Sequence, residues 1–497
     1  MNKEEEMKEV ELNEMDQEKQ PMTAETPTGT EKNGCVKVKV PEDTEVKFTG
    51  LSKEELMKVA GTPGWVRIRW VLLALFWLGW VGMLAGAIVI IVQAPRCKPI
   101  PEMNWWNEGP LYQISDVNEF SDRGLKGVDE KLDYLNQMKV KGLILGPIHT
   151  VQADQSSTLE LTSINPEFGT ESDLQTLLDR AHRKGMSIVL NLTPNYGNGG
   201  ISAWFNKGAS VAEQLKEACI YWLGKGVDGI FLSDLKDIAK TEAWTSIQAI
   251  FNKTDETKKI ALMGSVTALS VDEVSLLLNR TSVDLFLTGL PDPGKSWITQ
   301  ADVIQKLYAS HPQTSLGWSL SGQILGSLAS RTPSVPVRLY HTLLFTLPGT
   351  PVFSAGDEVG LKKEEKLQAM WDLESQADGA NATAKEEHIA VHDFFKALSD
   401  LKAKERALLH GEYVSLHSSH SSLAFLRLWD QSERFLVAMN WGSDSVTMKL
   451  VNEDLPAEGR VRATTNAESL PVDSMVSVEK LQLGPKQAVL LSYPYAG

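Results

Sequence analysis

The sequence predicts an α/β protein in which a (β/α)8 TIM barrel is followed by an antiparallel β domain and preceded by one membrane-spanning helix. Three observations support this prediction. An uncharged apolar run extends from Val71 to Val92. Short apolar segments then alternate with amphipathic segments up to about residue 404, as strands and helices alternate around a parallel barrel. Beyond residue 405 the apolar residues follow the two-residue period of strands, without a helical period.

Length and composition limit the interpretation. A chain of 497 residues, with 42% hydrophobic and 23% charged residues, has room for several domains and a large buried core. A nucleic-acid partner is not expected at a net charge of −15, since phosphate binding needs a basic surface. Three cysteines in such a length do not make a disulfide framework. We expect neither a cofactor nor a bound metal.

Residues 1–50 are expected to be a disordered cytoplasmic tail. They are rich in Glu and Lys and poor in large apolar residues, so they cannot bury enough surface to offset the cost of ordering. Residues 51–70 follow as a juxtamembrane segment. Within it, Ser52 and Glu55 have the spacing of a capping box and predict a short helix that ends near Gly61.

Residues 71–92 are predicted to be a transmembrane helix, because about 20 apolar residues span the hydrocarbon core. The alternative, an interior helix of a soluble domain, is disfavoured by the length of the uncharged run. Lys53, Lys58, Arg67 and Arg69 precede the run, whereas only Arg96 and Lys98 closely follow it. This positive-inside bias favours a cytoplasmic N-terminus and a type II single-pass protein, with residues 93–104 as an extracellular stalk.

The N-glycosylation sequons give independent support for this orientation. They occur at Asn191, Asn252, Asn279 and Asn381, all of which follow the apolar run. We expect glycans on Asn252, Asn279 and Asn381, which lie in a loop or near helix ends. Asn191 is expected to be bare, because it ends a predicted strand and Pro194 directly follows its sequon.

Eight apolar segments are candidate barrel strands within residues 105–404. They are Leu111–Ser115, Gly142–Gly146, Ser187–Leu192, Gly229–Asp234, Ile260–Gly264, Val283–Thr288, Ser315–Leu320 and Pro351–Ala355. Residues 405–497 are expected to form a separate antiparallel β-sandwich, with strands such as Leu423–Trp429 and Phe435–Asn440.

Several motifs in the barrel occur in a recognisable order. They are Trp105-Trp106, Leu132-Asp133-Tyr134-Leu135, Gly146-Pro147-Ile148-His149, Ile164 to Thr170, and Thr346 to Phe353 followed by Gly356-Asp357-Glu358. Together they resemble the α-amylase superfamily of glycoside hydrolases from roughly Trp105 to the C-terminus. That family inserts a sizeable domain after the third strand. Here only Gly197–Ser210 separate this strand from the next predicted helix, so the extra domain is expected to be lacking.

The resemblance implies that the catalytic groups of the family are missing. Such glycosidases use a nucleophilic carboxylate and an acid that flank the scissile bond, with a third carboxylate nearby. By similarity these three positions fall on Ser233, Ser265 and Ser321, and a serine without an adjacent base replaces none of these functions. Three further family positions, an arginine and two histidines, fall on Phe231, Tyr196 and Leu320.

An active membrane glucosidase is therefore the disfavoured alternative. Asp234 lies one residue beyond Ser233, but side chains alternate along a strand, so Asp234 points elsewhere unless the strand bulges. Without an acid at Ser265, a lone Asp234 would still not suffice. We expect a glycosidase-like pseudoenzyme.

The stretch from Gly64 through Cys97, together with Lys139 to Gly142, resembles the heavy chains of heteromeric amino-acid transporters. The resemblance implies an ancillary subunit that joins a multi-pass light chain by a disulfide and brings it to the plasma membrane. It also implies association with an integrin β subunit. Two alternatives remain: the heavy chain of the cystine and basic amino-acid exchange type, which is expected to keep the extra domain and more cysteines, and an adhesion or receptor glycoprotein.

The cysteines and glycines supply a separate case for a partner. Cys35 lies in the reducing cytosol, and Cys219 has the helical spacing of a core residue. Cys97 is left outside without an obvious intrachain mate, which suggests an intermolecular disulfide; a free or palmitoylated thiol is the alternative. Gly82 and Gly86 have the small-xxx-small spacing that lets another membrane helix approach, although chance glycines in a membrane helix give the same spacing.

Overall fold

The computed structural model describes residues 52–94, 97–150, 159–193, 209–233, 235–241, 243–252, 259–266, 270–322, 325–331, 334–362, 365–367, 371 and 382–495. The chain divides into two compact units, Met1–Pro95 and Arg96–Gly497.

The first unit contains two helices in its described part. Helix Lys53–Ala60 begins after Ser52, whose side chain accepts from the Glu55 amide, and Gly61 caps its end, so the predicted capping box is confirmed. Helix Pro63–Gln93 has 31 residues, a mean hydropathy of 2.4 in its most apolar window, and no buried residue. At 1.5 Å per residue it is about 46 Å long, more than the hydrocarbon core requires. The predicted span 71–92 lies within it.

The second unit begins with a closed barrel of eight parallel strands. Their bounds are β1 Leu111–Ile114, β2 Gly142–Leu145, β5 Ser187–Asn191, β6 Gly229–Leu232, β7 Ala261–Val266, β8 Leu285–Thr288, β9 Leu316–Ser319 and β10 Thr350–Ser354. Strands β3 His149–Thr150 and β4 Glu160–Ile164 form a separate hairpin after β2. The barrel closes where β1 pairs with β10. All eight predicted strands are confirmed, with ends that differ by one or two residues.

Helices surround the described barrel. They are Val117–Phe120, Gly124–Glu130, Leu132–Gln137, Glu171–Arg183, Ala209–Gly224, Leu235–Ile238, Ala243–Phe251, Val271–Thr281, Trp297–Ser310, Leu328–Arg331, Val337–Thr346 and Ala382–Lys404. Short 3-10 turns lie at Trp105–Asn107, Gln313–Ser315 and Asp357–Val359. Helix Ala209–Gly224 buries Cys219 completely, which confirms the predicted core position.

The barrel interior is a packed core. Side chains at alternate strand positions fill it, as expected for a barrel of this size. The cluster consists of Trp106, Leu111, Ile144, Val189, Phe231, Ala261, Met263, Leu285, Leu287 and Val352. Between the end of β5 and helix Ala209–Gly224 lie only residues 192–208, which leaves no room for a further domain after the third barrel strand.

The C-terminal part is antiparallel. Its strands are β11 Glu412–Ser418, β12 Ser422–Leu428, β13 Arg434–Asn440, β14 Val446–Lys449, β15 Glu458–Thr464, β16 Met475–Ser477, β17 Lys480–Leu483 and β18 Gln487–Tyr493. Six of them form one sheet in the order β11-β12-β13-β18-β15-β16, and β14 pairs with β17. One face of the large sheet packs on this two-stranded ribbon and the other on the barrel helices, which explains why β12, β13 and β18 are buried along almost their whole length. Helix Arg406–His410 precedes β11. The domain limits given in the sequence analysis stay predictions.

Two buried cations lie where the sheet meets the barrel. Lys402 donates to the carbonyl of Phe345 at 3.1 Å, and Arg427 donates to the carbonyls of Thr346 at 2.7 Å and Gly411 at 2.9 Å. Burial lowers the pKa of both side chains. Positive charge next to the last carbonyls of helix Val337–Thr346 favours this junction through the helix dipole.

Candidate functional site

The candidate site is the end of the barrel formed by the carboxyl ends of its strands, where glycosidases of this fold place their catalytic groups. Ser233 directly follows β6, Ser265 lies in the last part of β7, and Ser321 lies two residues beyond β9. The three serines are therefore at the same end of the barrel, at the strand positions expected from the sequence. Their correspondence to lost carboxylates stays a prediction.

Ser233 belongs to a neutral hydrogen-bonded group. Its backbone amide donates to the Thr193 hydroxyl at 2.9 Å, and that hydroxyl donates to the Asn191 side-chain oxygen at 2.5 Å. Asn191 is 3% exposed. These bonds tie the end of β5 to the end of β6. None of the three residues is a base that could activate the Ser233 hydroxyl.

The hydroxyl group of Ser321 forms a hydrogen bond within the protein. This residue is 4% exposed, and its hydroxyl donates to the carboxyl group of Asp357. Asp357 also accepts from the Ser354 amide at 2.8 Å and the Leu328 amide at 3.0 Å. Burial raises the pKa of Asp357 to about 6, against the opposing effect of these hydrogen bonds. This carboxyl joins the ends of β9 and β10, is 1% exposed, and accepts hydrogen bonds from the protein at both of its oxygens.

Glu358 has a similar structural role on the other side of β10. Its Oε1 accepts from the hydroxyl groups of Tyr112 at 2.8 Å and Tyr134 at 3.2 Å, and its Oε2 accepts from the Gly356 amide at 2.9 Å. Burial raises the pKa of Glu358 to about 7. Because Tyr112 lies in β1, this carboxyl links the first barrel strand to the segment after the last one. The motif Gly356-Asp357-Glu358 was recognised in the sequence, but this structural role of Glu358 could not be predicted from it.

The remaining catalytic positions lack charge in the described structure. Phe231 is part of the barrel's interior core, and Leu320 is fully buried. Tyr196 and Asp234 lie outside the described residues. Within the described ranges, no group of three or more His, Cys, Asp or Glu side chains is arranged to hold a metal ion. Among the described residues, the hydroxyl of Ser265 has no hydrogen-bond partner.

The two described cysteines of the chain differ in their exposure to solvent. Cys97 is exposed at the start of the second unit. Cys219 is fully buried, and burial raises the pKa of its thiol to about 12. Since the thiolate is the reactive form, Cys219 is chemically inert in the folded chain.

The other sequence-predicted sites stay predictions. Asn252 is exposed at the end of helix Ala243–Phe251, and Asn279 is exposed on helix Val271–Thr281, whereas Asn381 lies outside the described residues. A Cβ added at Gly82 or Gly86 would meet nothing within 4 Å, so both glycines leave open space beside the long helix.

Comparison with known proteins places these features in a family. The model described as "Solute carrier family 3 member 2 N-terminus" matches residues 36–112, and that of "Alpha amylase, catalytic domain" matches residues 112–245. The amino acid transporter heavy chain SLC3A2 of Oryctolagus cuniculus is 41% identical, over 98% of both chains. The heavy chain SLC3A1 of Rattus norvegicus is 25% identical, over 94% of this chain and 90% of the relative.

A solved structure supports the barrel independently. The α-amylase of Geobacillus thermoleovorans, complexed with acarbose, superposes with a TM-score of 0.59 and covers 80% of this chain and 100% of its own. Its sequence identity is 20%, so the likeness concerns the fold alone.

Proposed function

This chain belongs to the amino acid transporter heavy chain family, and from that membership we propose that it is a non-catalytic subunit that joins a multi-pass transporter light chain through Cys97. The heavy chain brings the light chain to the plasma membrane and stabilises it there. The light chain carries the substrate pathway. Which amino acids are transported depends on the light chain.

One contrast carries the proposal. The carboxyl groups at the catalytic end of the barrel are hydrogen-bonded within the protein, whereas the cysteine of the stalk is exposed. The carboxyl groups of Asp357 and Glu358 are buried and hydrogen-bonded within the protein, and the Ser321 hydroxyl is one of the donors to Asp357. A glycosidase needs two carboxyl groups flanking the substrate. Cys97, in contrast, presents an exposed thiol for an intermolecular bond.

The membrane helix supports the need for a partner. A single helix satisfies its backbone hydrogen bonds internally and presents its sides to lipid, so it cannot enclose a path for a polar solute. Helix Pro63–Gln93 is such a helix, and Gly82 and Gly86 give a neighbouring helix room to approach. Cys97 follows Gln93 by four residues, which span at most about 14 Å. A partner cysteine in an extracellular loop close to the bilayer suits this distance.

The type II orientation is supported by the basic residues that precede the helix and by the sequons, all of which follow it. Membership of the SLC3A2-like branch is supported by the higher identity to SLC3A2 than to SLC3A1. Association with an integrin β subunit remains an expectation from the resemblance, since no described residue favours it.

The proposal is tested by expressing the full chain with a multi-pass light chain in cells that lack their own heavy chains. Surface biotinylation and amino-acid uptake are measured with and without this chain. We expect both the surface amount of the light chain and the uptake to rise when the chain is present. Unchanged surface amounts and uptake would contradict the proposed role.

A further inference from the structure

The stalk is attached to one corner of the C-terminal sheet. The backbone amide of Lys98 donates to Asp430 Oδ2 at 3.0 Å. The Lys98 ammonium group lies 3.2 Å from Glu412 Oε1. These contacts fix the residue that directly follows Cys97 onto elements more than 300 positions away in the sequence.

The corner of the sheet that accepts the hydrogen bond from the stalk is a turn between two paired strands. Glu412 opens β11 and lies opposite Leu428 at the end of β12. Asp430 follows in the turn toward β13, which is closed by a bond from the Ser432 amide to the Trp429 carbonyl at 2.9 Å. The φ of Asp430 is 42°, in the left-handed region that Asp tolerates in turns. The carboxyl group that receives the Lys98 amide therefore sits on a paired hairpin.

The stalk remains against the body of the protein after Lys98. Pro101, Glu102 and Met103 line a small cleft of about 90 Å³ together with Leu409 and His410. The 3-10 turn that follows the stalk buries Trp106 in the barrel's interior core. Cys97 is thus the last residue before a stretch that is held at several points.

We propose that Asp430, assisted by Glu412, is a positioning residue for the interchain disulfide: it holds the stalk so that the Cys97 thiol is presented to the partner cysteine. The inference rests on the proposed function. A disulfide forms only when the two Cα atoms are about 4.4–6.8 Å apart. Restricting the positions available to Cys97 raises its effective concentration at the partner cysteine.

The chemical step is two successive thiol–disulfide exchanges with a glutathione or protein disulfide of the secretory compartment. The Cys97 thiolate first attacks that disulfide, forms a mixed disulfide and releases one thiol. The partner's thiolate then attacks the Cys97 sulfur and releases the second thiol. The two cysteines lose two electrons and two protons, which the oxidant takes up. Asp430 takes no part in the electron transfer.

The two contacts contribute unequally. Lys98 and Glu412 have side chains that are 56% and 60% exposed, and such surface ion pairs contribute little. The bond from the Lys98 amide to the Asp430 carboxylate is charge-assisted and holds the backbone itself. Asp430 is therefore the main positioning group.

The test compares Asp430→Gly with Asp430→Asn in the full chain, expressed with a multi-pass light chain. Glycine suits the positive φ of this turn, so the substitution removes the acceptor without straining the backbone. Asparagine keeps an acceptor oxygen. The matched control is Asp473→Gly, at an exposed aspartate with a φ of 66° in another turn of the same sheet.

Pulse-chase labelling with non-reducing electrophoresis measures the half-time of the reducible heterodimer. We expect Asp430→Gly to lengthen it about two- to tenfold, the effect of one hydrogen bond of about 0.5–1.5 kcal/mol. This lower range applies to the charge-assisted bond because it is exposed to solvent. Asp430→Asn should restore most of the rate, and Asp473→Gly should leave it unchanged.

Other results would overturn the assignment. An unchanged half-time in Asp430→Gly would remove Asp430 from this role, and an equal slowing in Asp473→Gly would show a general folding effect. Absence of any reducible heterodimer in the unmodified chain would instead reject the proposed function, and the positioning role with it.

Discussion

The buried carboxyl group of Glu358 makes a pH-dependent contribution to stability that one substitution can isolate. It accepts hydrogen bonds from Tyr112, Tyr134 and the Gly356 amide, and burial raises its pKa to about 7. In Glu358→Gln the amide nitrogen can donate to the two tyrosine oxygens, while the amide oxygen accepts from Gly356. The variant therefore keeps the packing and removes the titration. The two tyrosine hydroxyl groups lose their acceptor, but this cost does not depend on pH and cancels when two pH values are compared.

The sign follows from proton binding. A carboxyl group with a pKa of about 7 in the folded chain and 4.5 in the unfolded chain binds its proton more tightly when folded. Its stabilising effect is thus lost as the pH rises between these values, and above pH 8 ionisation costs on the order of 3 kcal/mol. Asp357, with a pKa raised to about 6, acts in the same direction. The buried imidazoles of His149 and His341 act oppositely, because burial lowers their pKa to about 4 and about 3.

The measurement is the free energy of unfolding of the detergent-solubilised chain, by denaturant titration at pH 5 and pH 8. Asp357 and both histidines are unchanged in the variant, so its difference from the unmodified chain isolates Glu358. We expect the stability of Glu358→Gln relative to the unmodified chain to increase by about 2–3 kcal/mol between pH 5 and pH 8. A difference that is the same at both pH values would refute the reasoning. The exposed Glu167→Gln serves as the control and should show no such change.

Two further predictions concern the barrel. The purified chain should not hydrolyse maltose-type or isomaltose-type substrates, as measured by sugar release; turnover that disappears in Asp234→Asn would instead reveal a relocated nucleophile. Peptide mapping should find glycans on Asn252, Asn279 and Asn381. It should find Asn191 bare, because this side chain is buried at the end of β5, and a glycan there would be incompatible with the strand.

The barrel could be predicted from the sequence because its signals are local. Each barrel strand is a short apolar run. Outside the barrel, the start of helix Lys53–Ala60 is likewise marked by the polar residues of its own cap. Helical spacing likewise sufficed to place Cys219 in the core. Strand ends shifted by a residue or two, since the ends depend on pairing with neighbouring strands rather than on composition.

The contacts that define the site could not be predicted, because they join distant parts of the chain. The Tyr112 hydroxyl bonds to Glu358 across 246 positions, and the Lys98 amide bonds to Asp430 across 332. Composition could not show that Asp357 and Glu358 are structural rather than catalytic, since their role depends on burial. Ser321 appeared only as a missing carboxylate, yet its hydroxyl also bonds to Asp357.

Non-reducing electrophoresis of membranes from cells that express the full chain with a light chain tests the central claim most directly. The unmodified chain and Cys219→Ser should both give a heterodimer that collapses on reduction, because the Cys219 thiol is buried and inert. Cys97→Ser should abolish the reducible band while non-covalent association persists, so uptake should fall only in part. A reducible heterodimer that survives Cys97→Ser but disappears in Cys219→Ser would contradict the account.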